Sequence, residues 1–249
     1  MMNFIIKKYK NPIIYLITII AILLIWLLLS KIINSSLILP SPVSSAKEIL
    51  HFFKDSSFYL SLLFTTLRAL LAFIISLIAS FLLVFLALNP NIKKAIDLIA
   101  SILRGIPTMA IILILIIWMK PSVTPVIVSM LALIPILYEE LTTICLSFKD
   151  EYSPVISVYE LKRTKIIKLF FKEKIASILD FSSSSIGYSL KLVISSEALS
   201  LAYYGLGSIM QFSKIYLEME RLFALAFIAV ILGIILQLIV KLIKKGIKV

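Results

Sequence analysis

Residues 60–88 read LSLLFTTLRALLAFIISLIASFLLVFLAL and close on Asn89-Pro90-Asn91. A bilayer core of about 30 Å is crossed by roughly 20 apolar residues of helix. This stretch is longer than that and carries one charge, Arg68. It reads as a membrane-spanning helix. Five further runs have the same character: residues 12–29, 96–119, 124–146, 182–204 and 222–243. Run 182–204 is the least apolar of them. The reading is an all-α membrane protein with six transmembrane helices, organised as one membrane-embedded domain over residues 1–249.

The whole-chain composition agrees. Of 249 residues, 61% are hydrophobic and 15% charged, and the mean hydropathy is +1.10. Soluble domains run about 45–50% apolar and about 25% charged. The numbers exclude a disordered chain and argue against a water-soluble fold. One cysteine, Cys145, and one histidine, His51, leave no room for a disulfide framework, a Cys-rich zinc site or HExxH chemistry.

The net charge of +12 is a topology signal rather than a nucleic-acid signal. With the N-terminus inside, sixteen of the 25 Lys and Arg residues fall in inside segments and six outside. Arg68, Arg104 and Lys191 lie within spans. Basic residues gather in cytoplasmic loops, so both termini are expected to be cytoplasmic. The basic start of the chain (Lys7, Lys8, Lys10) precedes an apolar run too long for a signal peptide, and we expect an uncleaved anchor opening at Pro12.

Two loops stand out. Residues 31–59 are expected outside, with a short helix along the lipid interface capped by Ser44 or Ser45 and boxed by Glu48. Residues 149–180 are expected inside, helical and basic, as a docking segment for a cytoplasmic partner or a surface helix on anionic lipid.

No catalytic constellation is present: GxSxG, CxxC and HExxH are all missing, and none of the six glycines opens a P-loop. ATP hydrolysis would need another chain. Ionisable residues inside a membrane are costly and mark pathways by default. Arg104, three residues before Pro107, and Glu197 are the deepest. On a helical wheel Ser182, Ser185, Ser189, Ser196 and Ser200 share one side of the fifth run, with Glu197 beside them and Lys191 nearly opposite. Such a stripe either seats a neighbouring helix closely or lines a polar path. Pro107 and Pro135 interrupt helical hydrogen bonding within runs 96–119 and 124–146, which suggests helices that bend or move.

These residues together resemble the transmembrane subunit of binding-protein-dependent ABC importers, in the branch that handles taurine, sulfonates, nitrate, thiamine precursors and riboflavin-like compounds. Leu39-Pro40-Ser41-Pro42 is similar to that branch's LPSP. Thr66–Phe73 resembles S-L-x-R-x-x-x-G-F, with Ala72 at the glycine. Leu103–Ala110 resembles L-R-x-I-P-x-x-A, and Ile134-Pro135-Ile136 resembles F-P-I. Ser196-Glu197 with Gly205-Leu206-Gly207 resembles A-E…G-L-G. The family's coupling signature, E-A-A-x-x-x-G, falls by position near Ile156–Lys162, where only Leu161 and the Phe170 region fit it.

The resemblance implies a type I importer permease in a bacterial cytoplasmic membrane, working by alternating access. Its path would involve Arg104, Pro107, Ser185, Ser189, Ser196, Glu197 and Ser200. Ser157, Val158, Tyr159, Glu160, Leu161, Lys162 and Phe170, within residues 153–171, would couple to a cytoplasmic ABC ATPase dimer. The partners implied are that ATPase, an external solute-binding protein, a second permease copy and membrane lipid, with no nucleic acid. The chain would bind no cofactor of its own, ATP being held by the ATPase. An ion channel or secondary transporter is the alternative that six spans with embedded charges allow.

Overall fold

The computed structural model describes residues 12–247. The basic residues Lys7, Lys8, Lys10 and Lys248 lie outside the described residues. Among those described, all regular structure is helical. The helices are α1 (Pro12–Ile33), α2 (Pro42–Phe52), α3 (Ser56–Leu86), α4 (Pro90–Gly105), α5 (Thr108–Trp118), α6 (Thr124–Val158), α7 (Arg163–Ser200), α8 (Leu206–Ile215) and α9 (Met219–Gly246).

Four of these, α1, α3, α6 and α9, are each long and apolar enough to cross a membrane. The pair α4 and α5 makes a fifth apolar crossing if taken together, but it is bent by 92°. The third run is therefore not one straight span. Pro107 has no N–H to donate and drives the residue before it out of helical geometry. Ile106 accordingly sits at φ −77°, ψ 125°. At Pro135 the helix continues: α6 runs through both Pro135 and Pro154, each of which leaves one carbonyl of the preceding turn without its helical donor.

The bundle centres on α3, α6, α7 and α9. Their shared core includes Phe73, Leu133, Leu137, Val193 and Leu225. Small residues bring the helices close, as they do in membrane interiors where apolar burial alone gives little drive. Ala69, Ala72, Ser76 and Ser80 of α3 are all fully buried. Ser80 donates to Ile134 O of α6 at 3.1 Å, and Ser183 of α7 donates to Gln237 O of α9 at 3.1 Å. Helix α1 stands at the edge. Its Trp26 stacks on Phe223 and Phe227 of α9, while most of its apolar side chains face outward.

The loop before α3 holds α2, as expected, but its cap differs. Ser41 is the N-cap and accepts from Ser44 N at 3.0 Å. The reason is local: Pro42 occupies the first helical turn, where its missing N–H and fixed φ are favourable, so the helix begins before Ser44. Asp55 caps α3 through Ser57 N at 2.9 Å. The Ser57 hydroxyl and amide together hold the Asp55 carboxyl below its usual range.

One end of the bundle gathers α2, α8, the α5–α6 link and the start of α9. The other gathers the start of α4, the α6–α7 turn and the end of α9. Segment 149–180 is no separate surface helix. It is formed by the ends of α6 and α7, which meet at a tight turn. Leu161 N donates to Ile156 O at 3.2 Å, and Glu160 takes a left-handed φ of 45°. This is the Schellman closure, usually built on glycine.

Candidate functional site

Two polar groupings lie within the apolar bundle, and they differ in character. The first is sealed. Glu197 has no exposed surface. Arg68 Nη1 donates to Glu197 Oε1 at 2.7 Å and to Tyr204 O at 3.1 Å, and Arg68 Nη2 donates to Tyr203 O at 2.7 Å. The Thr65 hydroxyl lies 2.9 Å from Glu197 Oε2, and Gly207 N donates to Glu197 Oε2 at 3.1 Å. Thr65 Oγ1 in turn accepts from Leu206 N at 2.9 Å. A buried carboxylate is stable only when paired and fully hydrogen-bonded, and this one is. The cluster pins the α7–α8 turn onto α3.

Glycine makes that closeness possible. A Cβ at Gly207 would strike the carbonyl oxygen of Ile194 and come within 2.8 Å of Ala198 N. At Gly205 it would come within 2.8 Å of Glu197 Cδ. The turn is reached through Leu201 and Tyr204, both in left-handed conformations.

The serine stripe belongs to this sealed interior. Ser185, Ser189, Ser196 and Ser200 are all buried. Ser189 donates to Ala69 O of α3 at 2.8 Å, and Ser200 donates to Pro121 O at 3.2 Å. Of the two roles open to such a stripe, the geometry within one copy of the chain is that of close helix packing.

The second grouping is open. Ser177, Ser184, Tyr188, Lys191 and Ser195 of α7 are exposed and recur at helical spacing on the side away from the buried serines. Lys191 follows Ser189, which contacts the middle of α3, so it lies halfway along the bundle. On α6, Glu139, Glu140, Thr143 and Ser147 are exposed. Arg104 and Pro107 sit at the bend of α4 and α5, both exposed, and Arg104 Nη1 forms an ion pair with Glu139 Oε2. Lys191 and Glu140 make no ion pair among the described residues. Arg68 and the exposed α7 stripe are what the sequence reading underweighted. The stripe's signal was present in the i, i+4, i+7, i+11 spacing of Ser184, Tyr188, Lys191 and Ser195.

At the far end, Ser157, Val158, Tyr159, Glu160 and Lys162 are exposed, and Leu161 is partly covered. Phe170 is partly buried in an aromatic group, meeting Phe148 edge-on at 5.3 Å and Phe171 at 5.4 Å. Lys174 pairs with Glu151 at 2.7 Å. The aromatic group and this ion pair tie the tips of α6 and α7 into one unit. No group of three or more His, Cys, Asp or Glu side chains placed to hold a metal occurs among the described residues.

The fold and these groupings define a helical, multi-pass membrane protein. No protein-family model matches the chain, and no curated protein matches it.

Proposed function

We propose that the chain is the membrane-spanning subunit of an ATP-driven importer. In this reading α1, α3, the bent pair α4–α5, α6, α7 and α9 make six spans, with both termini cytoplasmic. The basic end of the bundle, with Lys93, Lys94, Lys149, Lys162, Arg163, Lys165, Lys168, Lys172, Lys241, Lys244 and Lys245, faces the cytoplasm. Two copies enclose the path between them. A solute-binding protein delivers substrate at the end formed by α2 and α8.

The observation that carries this reading is the open polar face of α7. A lysine, a tyrosine and two serines, Ser184 and Ser195, near mid-bundle are costly against hydrocarbon. Facing a second copy across a hydrated path, they keep their solvation. The sealed serines and Glu197 hold α7 in place beside that path rather than lining it. The α6–α7 tip, with Val158 76% and Tyr159 72% exposed, offers an apolar knob on a rigid hairpin, which suits docking into a cytoplasmic ATPase.

The test is purification of the tagged chain from its own membranes in mild detergent, with co-purifying proteins identified by mass. A P-loop ATPase in near-stoichiometric amount is expected. Paired substitution of Val158 and Tyr159 by aspartate should release it while leaving the chain's own elution profile unchanged. Recovery of the chain alone across several detergents favours a channel or secondary transporter.

A further inference from the structure

We infer that Lys191 sets the charge selectivity of the open face, which admits small anions and turns away small cations. The inference rests on the reading of that face as a transport path.

Lys191 is the one cation on the exposed α7 stripe, and no acid neutralises it among the described residues. The antiparallel register of α6 and α7 locates the nearest acids. Ser200 meets Pro121 and Lys174 meets Glu151, so Lys191 lies level with about residue 132 of α6. Glu139 and Glu140 stand about eight residues further along, roughly 12 Å of helix rise away. Glu139 is already held by Arg104. The nearest charged side chains toward the α8 end, Arg68 and Glu197, neutralise each other inside the bundle. The local field at mid-path is therefore positive.

Low-dielectric walls focus such a field, and basic side chains around a narrow path select anions. Hydroxyls of Ser184, Tyr188 and Ser195 stand on the same stripe. The Ser184 and Ser195 hydroxyls donate to Phe181 O and Lys191 O of their own helix, at 2.9 Å each; rotated outward, they would join the ammonium in holding an oxyanion. Two facing copies would bring two such lysines to the same level.

The test needs no knowledge of the natural solute. In a Cys145→Ser background, single variants Ser195→Cys and Ser184→Cys are prepared in membrane fragments open on both sides. Each is treated with the anionic sulfonatoethyl and the cationic trimethylammonioethyl methanethiosulfonate reagents. Rates are normalised to those of a simple thiol in water. At Ser195→Cys a normalised preference of about tenfold for the anionic reagent is expected from one nearby charge. Adding Lys191→Glu should invert the preference, Lys191→Arg should keep it, and Lys191→Gln should bring it near unity. Equal rates that ignore the charge at position 191 overturn the role of Lys191 and leave the path reading standing. Failure of both cysteines to react with either reagent overturns the path reading itself.

Discussion

Arg68 and Glu197 illustrate how one buried pair can organise a turn that hydrophobic burial cannot. The carboxylate collects a guanidinium, a hydroxyl and a backbone amide, and the guanidinium directs two further donors to two carbonyls of the α7–α8 link. Removing one partner leaves an uncompensated buried charge, which costs about 3–5 kcal/mol. Arg68→Met is therefore expected to lower the thermal stability of the detergent-purified protein sharply. Arg68→Met with Glu197→Met should recover much of that loss, because the pair's desolvation cost goes with it. The check is a melting series on the two single variants and the double. If the double melts no higher than the worse single, the stranded-charge account is wrong.

At the scale of elements, the α6–α7 turn and the α4–α5 bend show two ways of ending a helix. Proline ends α4 by removing a donor. The turn at Glu160 instead asks a non-glycine residue to adopt left-handed geometry, at a cost of about 1–2 kcal/mol. Glu160→Gly should raise the melting temperature of the purified chain, and Glu160→Val should lower it. An unchanged melting point in both would show that the turn opens before the rest unfolds. The apolar runs were legible in the sequence because length and hydropathy fix them, and so was the Pro107 break. At Pro135 the sequence marks a lost helical hydrogen bond but not whether the helix ends there, because a proline inside a long, laterally packed helix can be absorbed. The serine pattern of α7 was legible as a pattern but not as a direction. A wheel shows that two faces are polar and cannot say which is turned inward. Burial decides it: Ser189 and Ser196 pack inward, while Ser184 and Lys191 stay open. Glu197's need for a partner was visible in its depth, yet the partner lies 129 positions away along the chain, beyond any local spacing rule.

For the whole molecule, the two ends carry the distinction that matters. Basic residues crowd the end holding the α6–α7 tip, whereas the opposite end is built from α2, α8 and the sealed ion pair. On the proposed topology, Val158→Cys in a Cys145→Ser background should react with an impermeant maleimide only in inside-out vesicles. Leu201→Cys, exposed at the other end, should react only in intact cells stripped of their outer layers. Reaction of both from the same side would break the six-span arrangement, and reversal of the two would invert it.

Gly207 carries a consequence for how this sequence can drift. The chain has six glycines in 249 residues. At Gly105 and Gly246 an added methyl group would meet nothing within 4 Å, so those two are free to change. At Gly187 the obstacle is the end of the Gln237 side chain, which can swing aside. At Gly207 the obstacle is main chain, and main chain has nowhere to go without parting α8 from α7. Every single-base change that alters a glycine codon's meaning installs a side chain or a stop. The position is thus a dead end for substitution, and lineages descended from this gene should differ at residues 105 and 246 long before they differ at residue 207.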